Sequence, residues 1–276
     1  MRILTKIICA DIDGTLIVKG TDISEENRKA LNRLLNDDYL VGLASGRQIS
    51  AVDKNWKQWG LDRDFDFYIG MNGAMFKDNI TGQMEDSSLM NIDQVKRIVD
   101  HLKPLELSTS YYCEDDVNYL WGVDEEMRMS VMRNPNYKYQ EIDSFKPLEN
   151  IRTYRVMFRV SEDKMEMVQE YVKAHPFDEE FEGFRTHPLC YEVMLKGVSK
   201  GKAIERYCHN KDIAFDDVYA FGDTSNDVEM LKMCHGVCMC DGTEDAKIVS
   251  EYITEYPCAE SGFARFVNSY FYDQKE

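Results

Sequence analysis

Four short apolar runs, widely separated in the chain, each end in a cluster of polar, turn-forming residues. No other feature restricts the fold as much. Lys6–Ala10 stops at Asp11-Ile12-Asp13-Gly14-Thr15-Leu16, Tyr39–Ala44 at Ser45-Gly46-Arg47, Phe65–Ile69 at Asn72-Gly73, and Asp217–Phe221 at Gly222-Asp223-Thr224-Ser225-Asn226-Asp227. Runs of this length bounded by glycine read as buried strands. Helical patterns separate them. Ser24 fits a helix N-cap, with Glu25 and Glu26 where the helix dipole favours anions. Ala30, Leu31, Leu34 and Leu35 follow at helical spacing, and Ile49–Trp59 predicts another helix. Strands alternating with helices imply a parallel sheet with crossover connections.

The rhythm changes in the middle of the chain. Leu107–Tyr112, Tyr154–Val160 and Cys190–Leu195 read as strands with alternating polar and aromatic residues. Two apolar stripes lie among them, Val95-Ile98-Val99-Leu102 and Met165-Val168-Tyr171-Val172. This predicts an α+β module whose sheet packs one face on helices. The βα pattern then returns, with helices over Lys200–Cys208, Val228–Met233 and Gly262–Val267 and a strand over Gly236–Cys240. The expected organisation is an α/β core domain made of 1–82 and 197–276, split by an inserted domain of 83–196. A chain of 276 residues is long enough for both.

Composition narrows the function. With 33 basic against 50 acidic residues, the net charge of −17 disfavours nucleic acid and anionic membrane surfaces as partners. No apolar run approaches the ~20 residues of a membrane span. The N-terminal segment places Asp11 and Asp13 where a signal peptide would keep its apolar region and cleavage site, so a cytoplasmic location is expected. The 8 cysteines include no C-x-x-C pair and read as free thiols. Cys234, His235, Cys238 and Cys240 lack zinc-site spacing, and Gly236–Cys240 reads as a short buried strand following a helix.

In an open parallel sheet, ligands bind beyond the carboxyl ends of the strands. Each polar cluster alone could be an ordinary turn. Together they bring Asp11, Asp13, Asp223 and Asp227 to one edge. Clustered carboxylates raise one another's pKa, and a hard divalent cation relieves the repulsion. Oxygen ligands without His or Cys point to Mg²⁺. Ser45, Gly46 and main-chain N–H groups at a helix start could cradle a phosphate, with the Lys200 ammonium as a point charge.

These motifs resemble those of the haloacid dehalogenase superfamily of phosphohydrolases. Asp11-Ile12-Asp13-Gly14-Thr15-Leu16 matches D-x-D-G-T-[LI], and Ser45-Gly46-Arg47 the second motif. Lys200-Gly201 matches the third, and Gly222 to Asp227 the fourth, G-D-x-x-N-D. Asn72-Gly73-Ala74 and Glu260-Ser261-Gly262-Phe263-Ala264 are similar to the N-G-A and E-D-G-V-A of the Cof-like subfamily. The resemblance implies a Rossmann-like core with an inserted α/β cap of class IIB. It implies Asp11 as the nucleophile that forms an aspartyl-phosphate, and Asp13 as the acid and base. It gives Mg²⁺ the carboxylates of Asp11 and Asp223 and the main-chain carbonyl of Asp13, with Asp227 as a further ligand or one step removed. Ser45 and Lys200 would hold the phosphoryl oxygens, Gly46 and Asn226 would orient these groups, and Arg47 and Asn72 would face the substrate.

Asp13 favours phosphate-ester chemistry, because an alkoxide leaving group needs a proton. Two stretches depart from the pattern. Thr224 stands where Asn is frequent, and Cys238-Met239-Cys240-Asp241-Gly242 replaces A-M-G-N-A, adding charge near the site. The expected activity is Mg²⁺-dependent hydrolysis of a small phosphorylated metabolite, with sugar phosphates favoured, by a monomer or weak homodimer. A phosphomutase and a non-enzymatic sensor of a phosphorylated ligand are the alternatives. Aromatic and basic residues of the insertion, such as Tyr112, Trp121, Arg128, Arg155 and Tyr191, could read a sugar or another polar leaving group, though the aromatics are read mainly as core.

Overall fold

The computed structural model describes residues 6–125, 128–129, 138–187 and 189–273. The chain falls into two units, Met1–Ser87 with Ser199–Glu276, and Ser88–Val198.

The first unit is built on an eight-stranded sheet. Its spatial order is Tyr252–Ile253, His235–Cys238, Val218–Gly222, Lys6–Ala10, Tyr39–Ala44, Phe67–Gly70, Met75–Asp78, Gln83–Asp86. The first six strands are parallel and the last two antiparallel. Chain order reverses between Lys6–Ala10 and Val218–Gly222, and such a switch point opens a crevice at the carboxyl ends of the strands. The two strands run in register, with Ala10 opposite Phe221. The Asp11 N–H carries the ladder one residue further, donating to Phe221 O at 2.9 Å. Asp11 and Asp223 therefore leave neighbouring strands at the same end.

Both faces of the sheet's centre are covered, so Lys6–Ala10, Tyr39–Ala44, Phe67–Gly70 and Val218–Gly222 are almost wholly apolar rather than alternating, unlike the exposed edge strand Gln83–Asp86. Ile7, Cys9, Phe67, Ile69, Val218 and Ala220 pack with Ala203, Ile204, Tyr207 and Cys208 of the helix Lys200–Lys211. The helix Glu25–Asn36 buries Ala30, Leu31, Leu34 and Leu35 and packs on Tyr39–Ala44 and on the helix Gly262–Val267. Serine caps start both long helices. Ser24 accepts from Asn27 N–H, and Ser199 accepts from Lys202 N–H, which places Lys200 in a first turn.

In the second unit, the sheet order is Phe181–His187, Cys190–Leu195, Thr153–Arg159, Ser108–Cys113, Val117–Trp121, Lys138–Glu141. Its pairs are antiparallel except for the last, which is parallel. Tyr111, Val156, Phe158, Tyr191 and Val193 on one sheet face pack with Val95, Ile98, Met165 and Val168 of the helices Ile92–Leu102 and Met165–Ala174.

Two expectations need correcting. Gln83–Asp86 pairs with Met75–Asp78 in the first sheet, so the units divide at 87/88 and 198/199 rather than at 82/83 and 196/197. The antiparallel hairpin breaks the βα rhythm before the first unit has ended. Ile49–Trp59 is not one helix but two short ones, Ile49–Val52 and Asn55–Gln58. The break falls at Lys54, whose φ of −100° and ψ of −6° depart from helical values, beside Asp53, which pairs with Lys77 at 3.6 Å. No described helix is long and apolar enough to cross a membrane.

Gly42 faces Phe67 across the sheet, and a Cβ there would lie 2.3 Å from the Phe67 ring. Gly42→Ala must displace a fully buried aromatic side chain. The expected cost is about 1–3 kcal/mol, read as a lower chemical-denaturation midpoint with an unchanged m-value.

Candidate active site

Lys200 organises the crevice. Its side chain has no exposed surface, and its Nζ donates to Asp11 Oδ1 at 2.5 Å and to Asp227 Oδ1 at 2.6 Å. Asp227 Oδ2 accepts from the N–H groups of Asp223 and Thr224, at 3.0 and 3.2 Å. Asp227 thus fastens the strand end that carries Asp223 to the same lysine. Asp223 is held in turn by Thr15, which donates to its Oδ1 at 3.1 Å, and by Thr243, whose N–H reaches its carbonyl at 2.7 Å.

Two glycines allow this closeness. Gly14 has a φ of +91°, and a Cβ there would lie 2.3 Å from Asp223 Oδ2. At Gly222 a Cβ would lie 2.6 Å from the Asp227 side chain.

Carboxylate oxygens of Asp11, Asp223 and Asp227 all lie within 4.8 Å of one another. Among the described residues this is the one group of ligand-type side chains so gathered. Three buried acids face one ammonium, and the pKa shifts show the imbalance. Burial raises Asp11 to about 7, with Lys200 opposing and Asp227 adding to the rise. Burial, together with the charges of Asp11 and Asp227, raises Asp223 to about 8. Burial works against a charged Lys200, but the two carboxylates outweigh it and its pKa is raised. The centre is short of positive charge, and its donors are all hard oxygens. Both facts suit a divalent cation held by Asp11 and Asp223.

The remaining polar loops meet beside this centre. Arg47 pairs with Asp13, Nη2 to Oδ1 at 2.5 Å, and both side chains are partly exposed. Ser45 is buried, and its Oγ accepts from Arg47 N–H at 3.2 Å. Asn72 N–H donates to Ser45 O at 3.1 Å, and Asn226 Nδ2 to Asn72 Oδ1 at 3.1 Å. A Cβ on Gly46 would lie 3.1 Å from that same Asn72 oxygen. The structure therefore links Lys200 with Asp11 and Asp227, Arg47 with Asp13, and Asn72 with Ser45, Gly46 and Asn226. The arrangement offers a carboxylate next to an ammonium, a half-exposed acid, and amide and hydroxyl donors. That is equipment for attack on a phosphorus and for handling a proton.

Sequence reasoning assigned no part to Thr15 or Thr243. Thr15 stands inside a recognisable motif, whereas nothing local marks Thr243. Asp241 accepts from Cys258 N–H at 3.3 Å, so it also fastens the chain there. Cys234, His235 and Cys238 do not gather as ligands: His235 pairs with Glu251, and Cys238 is buried at the end of the strand His235–Cys238.

The family model described as haloacid dehalogenase-like hydrolase matches residues 8–267. The putative phosphatase YxeH of Bacillus subtilis is 25% identical over 256 residues, covering 90% of this chain and 92% of that one. The 5-amino-6-(5-phospho-D-ribitylamino)uracil phosphatase YwtE of the same organism is 26% identical, covering 95% and 97%. Among solved structures, the HAD subclass IIB sugar phosphatase BT4131 superposes with a TM-score of 0.80 at 23% identity, covering 97% of this chain and 99% of that one.

The raised carboxyls make the site's contribution to stability pH-dependent in the metal-free protein. From pH ~4 to ~8 the folded chain retains protons on Asp11 and Asp223 that the unfolded chain has released, so their contribution to stability falls as pH rises through that window. A divalent cation would displace those protons. Added Mg²⁺ is expected to raise the melting temperature more at pH 8 than at pH 5. Thermal scans at both pH values, with EDTA or Mg²⁺, check this; an equal shift at both would contradict it.

Proposed function

We propose that this chain, which belongs to the haloacid dehalogenase-like hydrolases, is a Mg²⁺-dependent phosphatase of small phosphorylated metabolites, sugar phosphates first among them, acting through an aspartyl-phosphate on Asp11. The observation that carries the reading is the buried Lys200 clamp, which holds Asp11 beside Asp223 at the switch point of the sheet. Two of the relatives described above are named for phosphorylated polyol or sugar substrates. Both names describe a phosphate on a hydroxylated carbon chain.

Lys200 occupies Asp11 Oδ1, so attack falls to the other carboxylate oxygen. Attack forms an O–P bond to Asp11 and breaks the ester P–O bond. Asp13 gives its proton to the departing alkoxide. Asp13 then takes a proton from water, which attacks the same phosphorus, releases inorganic phosphate and restores Asp11. Mg²⁺, held by the carboxylates of Asp11 and Asp223 and the main-chain carbonyl of Asp13, would supply charge neutralisation for the phosphoryl group. Both oxygens of Asp227 are engaged by Lys200 and the main chain, so its part is to place Lys200 and Asp223. Lys200 and Ser45 stabilise phosphoryl oxygens, and Arg47, Asn72, Gly46 and Asn226 line the substrate side. Ser88–Val198 takes the part of a cap domain.

Release of inorganic phosphate should require Mg²⁺ and be lost in Asp11→Asn. Asp13→Asn should slow hydrolysis of a sugar phosphate by ~10²–10⁴-fold, and of p-nitrophenyl phosphate far less, because p-nitrophenolate leaves without a proton. A wild-type protein inert on a broad panel of phosphate esters would sink the proposal. Turnover that needed a sugar bisphosphate would replace it with a phosphomutase.

A further inference from the structure

The turn Met71-Asn72-Gly73 is left-handed throughout, and one of its residues does not favour that shape. Met71 has a φ of +50°, which its side chain disfavours, whereas Asn72 at +53° is a residue type that tolerates this region. Gly73 is at +109°, pressed against the start of the helix Lys200–Lys211, where a Cβ would lie 2.1 Å from Ser199 O. Such a turn persists only where its surroundings over-determine it. On one side the fastenings come from the site itself. Met71 N–H donates to Arg47 O at 2.9 Å, Asn72 N–H to Ser45 O at 3.1 Å, and Asn226 to the Asn72 side chain.

Another fastening comes from a residue outside every motif. Arg206 lies on the helix that Lys200 begins, about 9 Å further along its axis at ~1.5 Å per residue. Helical side chains lean towards the N-terminus, so its guanidinium reaches back towards the site. Arg206 Nη2 donates to Gly73 O at 3.1 Å and to Ser87 Oγ at 3.3 Å. Ser87 N–H in turn donates to Ala74 O at 2.8 Å, and Ser87 is the last residue before the chain passes into the second unit. One half-buried cation thus joins the catalytic lysine's helix, the turn that carries Asn72, and the point where the chain leaves its unit. The bonds are charge-assisted, roughly twice as strong as neutral ones.

The geometry points to Arg206 as a positioning residue that holds the Met71-Asn72-Gly73 turn, and through it the Asn72 amide, in place for substrate. Its kinetic consequence rests on the phosphatase reading; its structural consequence does not.

The test is a double-mutant cycle of Arg206→Ala and Asn72→Ala, assayed by phosphate release. Arg206→Ala should raise KM about tenfold and change kcat by no more than about threefold, because a substrate-facing group is displaced while Asp11 and Lys200 stay paired. Arg206→Lys should recover part of the loss, since an ammonium can replace one donor but not the fixed fork. The double variant should be no worse than Asn72→Ala alone. Hydrogen exchange gives a readout free of turnover. In Arg206→Ala, amides of 71–74 should exchange about tenfold faster while those of Lys6–Ala10 stay protected. Losses that multiply in the double variant, or an unchanged KM, would overturn the inference in an active enzyme. Unchanged exchange at 71–74 would overturn it whether or not the wild type turns over phosphate esters. If Arg206→Ala does not fold, the cycle and the exchange are run on Arg206→Lys, with proportionally smaller effects expected.

Discussion

A lysine with no solvent exposure lies between two carboxylates, 2.5 Å from Asp11 and 2.6 Å from Asp227, and the rest of the site is arranged around it. Removing an ammonium from water costs several kcal/mol, and a single partner seldom repays it. Two partners do so here, as the raised pKa of Lys200 shows. The contact also joins chain segments that are remote in sequence, since Asp11, Lys200 and Asp227 follow one strand, start one helix and follow another strand. The lysine still leaves the centre with excess negative charge. That excess, visible in the raised carboxyls of Asp11 and Asp223, gives a cation its driving force to bind.

Packing supplies the precision that charge alone lacks. At Gly14 and Gly222, a carboxylate or its stem fills the space a side chain would need. The left-handed turn at Met71 and Asn72 follows the same logic: unfavourable backbone is kept because it brings an amide to Ser45, Gly46 and Asn226. Threonines at 15 and 243 hold Asp223 from two sides, one by its side chain and one by its carbonyl. Mobility in any of these supports would loosen the placement of Asp11 and Asp223.

Much of this was legible before any coordinates. Apolar runs that stop at Asp11, Ser45, Asn72 and Asp223 are strands buried on both faces, and parallel strands deliver their ends to one edge. The errors fell where local pattern is weak. The hairpin ending at Asp86 pairs antiparallel within the first unit, although its rhythm matches the insertion. The segment from Ile49 breaks at Lys54, although its apolar spacing is helical throughout. The supporting residues left no local trace, because Thr243 and Arg206 act on partners that are near in space and distant along the chain.

The sequence by itself determined the α/β class, the edge of the sheet at which chemistry gathers, and the residue types gathered there. Periodicity and turn chemistry are short-range properties, written within a few residues. Only the tertiary structure decided which partner each charge takes: Lys200 with both Asp11 and Asp227, Arg47 with Asp13, and Arg206 with the carbonyl of Gly73. Such pairings depend on distances of a few ångströms between segments that meet only when the sheet closes its order around the switch point, and no local pattern encodes them.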